Sequence, residues 1–224
     1  MHRFYMKELD ELRSHFLLMA ESAISLVAES IQALQDFDVD AARAVRAKDD
    51  AIDELEVKID AEASRYLTLR APVAGDVRLL TVAMKASHDL ERIGDEASSI
   101  AKRTIRLAEQ GASSVDFHAI PRMAEIALAN TREAIDSLLA GAAERALAIP
   151  KKDREIDNLH RENQEHFLAR IAEKPDMAGA YMELVFVSKS LERVGDHAAN
   201  IAEEIVFLFT GTDVRHTDAV KRSG

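Results

Sequence analysis

Apolar residues recur at alternating steps of three and four along almost the whole chain, and that period excludes most folds at once. Near the start they fall at Leu9, Leu12, Phe16, Met19, Ala23 and Leu26. Toward the end they fall at Ala180, Leu184, Val187, Leu191, Val194, Ala198, Ile201, Ile205 and Leu208. Such a stripe is the seam of a long helix lying nearly parallel or antiparallel to its neighbours. Strand-like alternation is absent. Aromatic residues are only 5% of the chain and Trp is missing, which also argues against a sheet. Breakers then divide the 224 residues into six helices, ending at 35–38, 70–72, 110–114, 140–141, 173–176 and 210–211. The expected fold is all-α.

The second half of the chain resembles the first. Lys48-Asp49-Asp50-Ala51-Ile52-Asp53-Glu54-Leu55 aligns with Lys152-Asp153-Arg154-Glu155-Ile156-Asp157-Asn158-Leu159, and Leu90-Glu91-Arg92-Ile93-Gly94-Asp95 with Leu191-Glu192-Arg193-Val194-Gly195-Asp196. A duplicated three-helix unit follows, with one copy over 1–111, the other over 112–211, and a polar, aperiodic tail over 212–224. The expectation is two antiparallel three-helix bundles joined end to end, hinged near 111–116.

Four acid pairs stand at i, i+4: Asp49 with Asp53, Glu91 with Asp95, Asp153 with Asp157, and Glu192 with Asp196. Each pair shares a helix face, where like charges repel. If the chain reverses at Pro72, Asp53 lies level with Glu91 and Asp49 with Asp95. A reversal between Lys174 and Pro175 does the same for Asp157 with Glu192 and Asp153 with Asp196. Four carboxylates should therefore meet in each half. Asp49 and Asp153 fall on the apolar seams of their helices, so they need compensation. Arg92 and Arg193 are candidate counter-charges, and a hard cation with oxygen ligands is the other solution. Ordinary solvated salt bridges are the bland alternative. Gly94 and Gly195, in mid-helix, mark either close helix approach or a functional opening. His160 and His197 could extend the second cluster as ligands, although a lone histidine more often packs or hydrogen-bonds, whereas His88 and His166 show no partner pattern. Pro150, three residues before Asp153, is expected to kink or delay the fifth helix and so disturb the second cluster.

Several function classes are excluded. Cysteine is absent, which removes disulfides, thiolate metal sites and cysteine nucleophiles. The net charge of -11, with no basic stripe, argues against direct nucleic-acid binding. The opening residues are too polar for a secretion signal. The longest purely aliphatic or aromatic run, Ile205 to Phe209, is far shorter than the roughly 20 residues of a membrane span. A cytoplasmic location is the expectation.

These residues carry a resemblance. Pro72-Val-Ala-Gly-Asp-Val-Arg78 followed by Asp89-Leu-Glu-Arg-Ile-Gly-Asp95, and Leu191-Glu-Arg-Val-Gly-Asp-His-Ala-Ala-Asn-Ile-Ala-Glu203, resemble the PhoU family over roughly residues 3–211. Arg78 lacks a counterpart in the second half. The resemblance implies two pseudo-symmetric three-helix bundles whose E/D-x-x-x-D motifs bind multinuclear metal clusters in some members. Carried over, the metal ligands are Asp49, Asp53, Glu91, Asp95, Asp153, Asp157, Glu192 and Asp196, and Mg, Mn, Fe, Ca or Zn would all suit oxygen ligands. It also implies a non-enzymatic regulator that restrains phosphate uptake and phosphate-starvation genes. Its partners would be the phosphate ABC transporter and a phosphate-sensing histidine kinase, and it would be a homodimer, reaching the inner membrane only through partners. A carboxylate-bridged metalloenzyme is the rival reading, but the E-x-x-H pairs of di-iron bundles and a glycine-rich phosphate loop are missing. A purely structural helical scaffold is the third.

Overall fold

The structure, a computed structural model, describes residues 2–112 and 115–215. Among these the elements are α1 (His2–Asp36), α2 (Val39–Lys48), α3 (Asp50–Arg70), α4 (Ala74–Glu109), α5 (Ile120–Ala140), α6 (Ala143–Leu147), α7 (Ile149–Glu173) and α8 (Ala178–Thr210), with no strand. A single 3-10 turn, Pro175–Met177, leads into α8. Six rods result, as the breakers require, and two of them are interrupted. Asp49 separates α2 from α3 while keeping helical dihedrals of φ -59° and ψ -45°. The Ile52 N–H reaches the Asp49 carbonyl at 2.8 Å, so the rod tightens by one i→i+3 turn and runs on. Pro150 delays the fifth rod as expected: α6 stops, Ala148 intervenes, and α7 starts with Pro150 in its first turn. There a missing N–H costs nothing.

The ends of the rods follow from local chemistry. Asp38 caps α2 by accepting the Ala41 N–H at 2.9 Å, satisfying a donor the helix cannot. Gly141 and Gly211 close α5 and α8 in the left-handed conformation, at φ 66° and 71°, where glycine meets no Cβ penalty.

Within each repeat the helices run antiparallel, and the ion pairs record the register. In the first, His15 meets Glu62 at 2.9 Å and Glu29 meets Lys48 at 2.6 Å. Between α3 and α4, Glu56 meets His88 at 3.0 Å, the level that a reversal at Pro72 dictates.

The two units are not joined end to end. They lie side by side, with α4 and α8 packed on each other more extensively than any other pair and α1 also touching α5. One apolar core runs through both, from Met19, Ile52, Leu90 and Ile93 to Met123, Phe167, Leu191 and Val194. The reason is the width of the apolar faces. α4 buries Leu90 and Ile93 together with Val82, Ala86, Ala97, Ile100 and Ala101, and α8 is buried comparably. Neither stripe fits under two partner helices alone. A second small cluster of Leu12, Ala63, Tyr66, Leu80 and Ala83 lies beside this core.

Two expectations about segments need adjusting. Lys7–Asp36 is, by length and composition, apolar enough to cross a membrane, although scattered polar residues leave it without a long unbroken apolar run. Half of its most apolar stretch is nevertheless buried against the other helices. Past α8, Val214 is buried in the core and Arg215 pairs with buried Glu204 at 3.2 Å. Residues 212–215 are thus held down, and the remainder of the expected loose tail, 216–224, lies outside the described residues.

A shared core makes the repeats fold as one unit. Leu191→Ala should cost about 2–5 kcal/mol and lower a single transition that circular dichroism and calorimetry report at the same temperature. Two separated transitions would contradict the side-by-side arrangement.

Candidate functional site

Each repeat directs one aspartate into the apolar seam against a glycine of the facing helix. In the second repeat, Asp153 comes from the first turns of α7 and is buried. Its Oδ1 lies so close to Gly195 of α8 that a Cβ there would collide with it, and with Ile156 Cδ1 at 2.8 Å. In the first, Asp49 occupies the α2–α3 junction, and a Cβ on Gly94 would meet its Oδ1 at 3.1 Å and Ile52 Cδ1 at 3.0 Å. The two mid-helix glycines therefore serve close approach, and the approaching group is a carboxylate.

The acids gather around these two points. Asp153, Asp157 and Asp196 each bring an oxygen within 4.8 Å of the others. Pro150, then, leaves the second cluster assembled. Glu192 stands at its edge, drawn to Lys189 one turn earlier on α8. The first cluster is looser. Asp95 turns to Arg92 at 2.9 Å. Glu91 groups with Glu56 and His88, and its Oε2 sits 3.2 Å from Arg92 Nε without hydrogen-bond geometry. Asp53 is exposed on α3.

Burial and mutual repulsion set the protonation of these groups. Desolvation first, and then the charges of Asp196, Asp157 and Glu192, push the Asp153 carboxyl up to about 7. Asp49, Asp53, Glu91 and Asp196 are all shifted upward, each mainly by burial and next by an acidic neighbour, although a Ser98 hydroxyl bond partly offsets the shift at Asp49. Asp49 Oδ1, Glu91 Oε2 and Asp153 Oδ1 are buried with no hydrogen bond. Unsatisfied buried acceptors of this kind are costly.

The expected counter-charges divide differently from the sequence reading. Arg92 does serve the first cluster. Arg193 does not serve the second: its guanidinium crosses to Glu96 on α4, at 3.0 Å. His197 likewise turns away from Asp196 and meets Asp89 at 2.9 Å, where Asn200 also donates at 3.1 Å. The buried His160 has both ring nitrogens engaged, Nδ1 with Ser188 Oγ at 2.8 Å and Nε2 with Gln164 at 3.0 Å. It completes a polar core instead of joining the acids. His88 and His166, which showed no partner pattern, each have an acid at 3.0 Å, Glu56 and Asp116.

Two further groups were missed. Asp60, one turn beyond Glu56, carries a buried unpartnered Oδ1 and lines a cleft of about 620 Å³ with Lys85, His88 and Glu204. Extending the level rule from Asp53 to Glu56 would have reached His88. Glu204 is only 6% exposed and is held by Lys85 at 3.0 Å and by Arg215; Lys85 comes from the other repeat and Arg215 from beyond the end of α8, so neither leaves a signal at helical spacing.

The α4–α8 crossing relates the two clusters. Asp89 faces His197, Glu96 faces Arg193 and Arg103 faces Glu183, so the helices run antiparallel. In that register Glu91–Asp95 lies level with Glu192–Asp196. The class so defined is a duplicated helical-bundle protein with a pair of acidic centres on a central helix pair.

Comparison with known proteins places it further. The PhoU domain matches twice, over residues 16–104 and 120–205. The phosphate-specific transport system accessory protein PhoU homologue of Pseudomonas aeruginosa is 37% identical over 209 residues, spanning 93% of this chain and 86% of that protein. The homologue of Caulobacter vibrioides strain NA1000 is 35% identical, over 94% and 91%. A crystal structure of PhoU from Pseudomonas aeruginosa superposes with a TM-score of 0.89 at 35% identity, over 93% of this chain and 100% of that one. The phosphate transport system regulatory protein PhoU from Streptococcus pneumoniae gives 0.86 at 26%, over 94% and 99%. The chain belongs to the PhoU family.

The upward shifts have a pH consequence. A carboxyl raised to about 7 binds more protons folded than unfolded between its free value near 4 and 7. Unfolding free energy must then fall as pH rises through that window, and the loss is complete above it. Glu8 and Asp213, held near 2 by arginines, act only below the window. Metal-free protein should lose roughly 2–4 kcal/mol between pH 4 and 7, and Asp153→Asn should remove most of that slope in denaturant titrations. An unchanged slope in Asp153→Asn would refute the assignment.

Proposed function

We propose that this chain is a metal-binding, non-enzymatic accessory protein of a high-affinity phosphate transporter, restraining uptake and phosphate-starvation signalling through the transporter and its sensor histidine kinase. The observation that carries the metal-binding part is the set of buried, unsatisfied carboxylate oxygens on Asp49, Glu91 and Asp153. A divalent cation supplies those oxygens with charge and ligation at once, and oxygen-only sites suit hard cations. Asp153, Asp157 and Asp196 would hold it in the second repeat, with Glu192 joining on release from Lys189. Asp49, Asp53, Glu91 and Asp95 would do so in the first. What bound metal supplies here is cohesion, by neutralising acids that otherwise repel across α3–α4 and α7–α8.

The transport role is supported by relatives named as accessory proteins of the phosphate-specific transport system. An acidic protein with α1 folded into its core would reach a cytoplasmic membrane face through a partner, because anionic lipid repels net negative charge.

Chelator-stripped protein should melt at a higher temperature as Mg²⁺ or Mn²⁺ is added, because a ligand of the folded state stabilises it by mass action. Replacing Asp53, Asp95, Asp157 and Asp196 together by Asn should abolish that response while holding or raising the metal-free melting temperature. No shift in the wild type with Mg²⁺, Mn²⁺, Fe²⁺ or Zn²⁺ would leave a salt-bridged scaffold instead. Separately, the protein should co-purify with phosphate transporter subunits from membranes yet fail to bind protein-free anionic vesicles. Turnover of phosphate esters by metal-loaded protein would favour an enzyme.

A further inference from the structure

We infer that Asp116, His118 and His166 form a third metal site, of different chemistry from the acid clusters, that takes a borderline cation such as Zn²⁺ and fastens the connection between the repeats to α7. One ligand atom from each residue lies within 4.8 Å of the other two. Asp116 and His118 belong to the connection that joins α4 to α5, and His166 projects from α7. His166 is nine residues beyond Asp157, roughly 13 Å further along the helix, so the site shares no residue with the acid clusters.

The connection is shaped to bring these groups together. The His118 N–H donates to Asp116 Oδ1 at 2.9 Å, which fixes that carboxylate and leaves Oδ2 for other partners. His118 itself is held at φ 47°, a left-handed conformation that is unusual for a residue with a side chain. Held so, its ring stacks on that of His166, with centroids 4.0 Å apart and planes 2° from parallel. His166 Nε2 in turn lies 3.0 Å from Asp116 Oδ2. A metal ion would take the place of the proton shared by His166 and Asp116. Zinc binds nitrogen and oxygen at about 2.0–2.2 Å, so the three donors must draw together. The exposed His118 ring can turn about its side-chain bonds to do so.

Two imidazoles and one carboxylate select the cation. Imidazole suits Zn²⁺, Co²⁺, Ni²⁺ or Cu²⁺, whereas Mg²⁺ and Ca²⁺ prefer all-oxygen sets. With three protein ligands, a fourth position stays open to water. The backbone bond to Asp116 Oδ1 orients its ligand in the way that outer partners commonly do at metal sites. Arg170 is the neighbouring cation; its charge is favoured first by a hydrogen bond with Tyr181 and further by the charges of Glu173 and Asp116, and it pairs with Glu173 at 2.6 Å.

The test uses untagged full-length protein, stripped by chelator, with Asp53, Asp95, Asp157 and Asp196 changed to Asn so that the acid clusters do not contribute. Equilibrium dialysis against Zn²⁺ in excess Mg²⁺ should find one zinc per chain. His118→Ala and His166→Ala should each weaken binding by at least about tenfold, and Co²⁺ should give the visible absorption of an imidazole-bound ion that both substitutions remove. The same titration on wild-type protein presaturated with Mg²⁺ covers the case in which the fourfold variant does not fold. Absence of zinc binding in both backgrounds would overturn the inference, and so would undiminished binding in His166→Ala. The acid clusters are disabled in the fourfold variant, and in the wild type any zinc they take is insensitive to His118→Ala and His166→Ala, so the loss on those substitutions reads the third site alone; failure here leaves the acid-cluster reading standing, and the converse holds as well.

Discussion

α4 and α8 bury wide apolar faces against each other, and both halves of the molecule are built onto that pair. Small side chains such as Ala86, Ala97, Ala101, Ala198 and Ala202 are fully or nearly fully buried along them. At the margins of the pair, Lys85–Glu204, Asp89–His197, Glu96–Arg193 and Arg103–Glu183 link one repeat to the other. Each such pair is individually modest where solvent reaches it. Together they hold one antiparallel register, because sliding either helix would separate all of them at once.

That register determines where the acids lie. Each repeat turns one aspartate inward against a glycine of its central helix, and the aspartate then cannot be fully solvated. The consequence differs between repeats. Asp153 enters after α7 has begun, against a glycine with no space to spare, and meets Asp157 and Asp196 directly. Asp49 sits where the rod tightens between α2 and α3, and Arg92 draws Asp95 away from it. The second cluster is therefore the more strongly self-repelling, and only there is a carboxyl pushed as far as about 7. The same mid-helix glycine that lowers intrinsic helix stability is what makes room for this arrangement.

The polar groups outside the clusters follow a separate logic. His160, Asn163 and Ser188 form a buried hydrogen-bonded set between α7 and α8, with Met123 Sδ beside it. Asn163 also accepts the Ala119 N–H at 3.0 Å, tying the start of α5 to α7. Every member of such a set must find a partner, since a half-satisfied buried network is worse than an apolar one. That requirement explains why His160 turns to Ser188 and Gln164 and not to the acids.

The sequence by itself determined the helices, the duplication and the level of the acids. These depend on a 3.6-residue period and on where the chain reverses, which are short-range properties written in consecutive residues. Constant spacing about Pro72 and about Lys174–Pro175 was enough to bring Asp49, Asp53, Glu91 and Asp95 to one level, and their four counterparts to another. Only the tertiary structure decided that the repeats lie side by side, that Arg193 and His197 cross to α4, and that His166 meets the inter-repeat connection. Those pairings join residues about 50 to 110 positions apart on faces that are each compatible with several partners. Which one is chosen depends on the summed burial of whole helices, a quantity no local pattern contains.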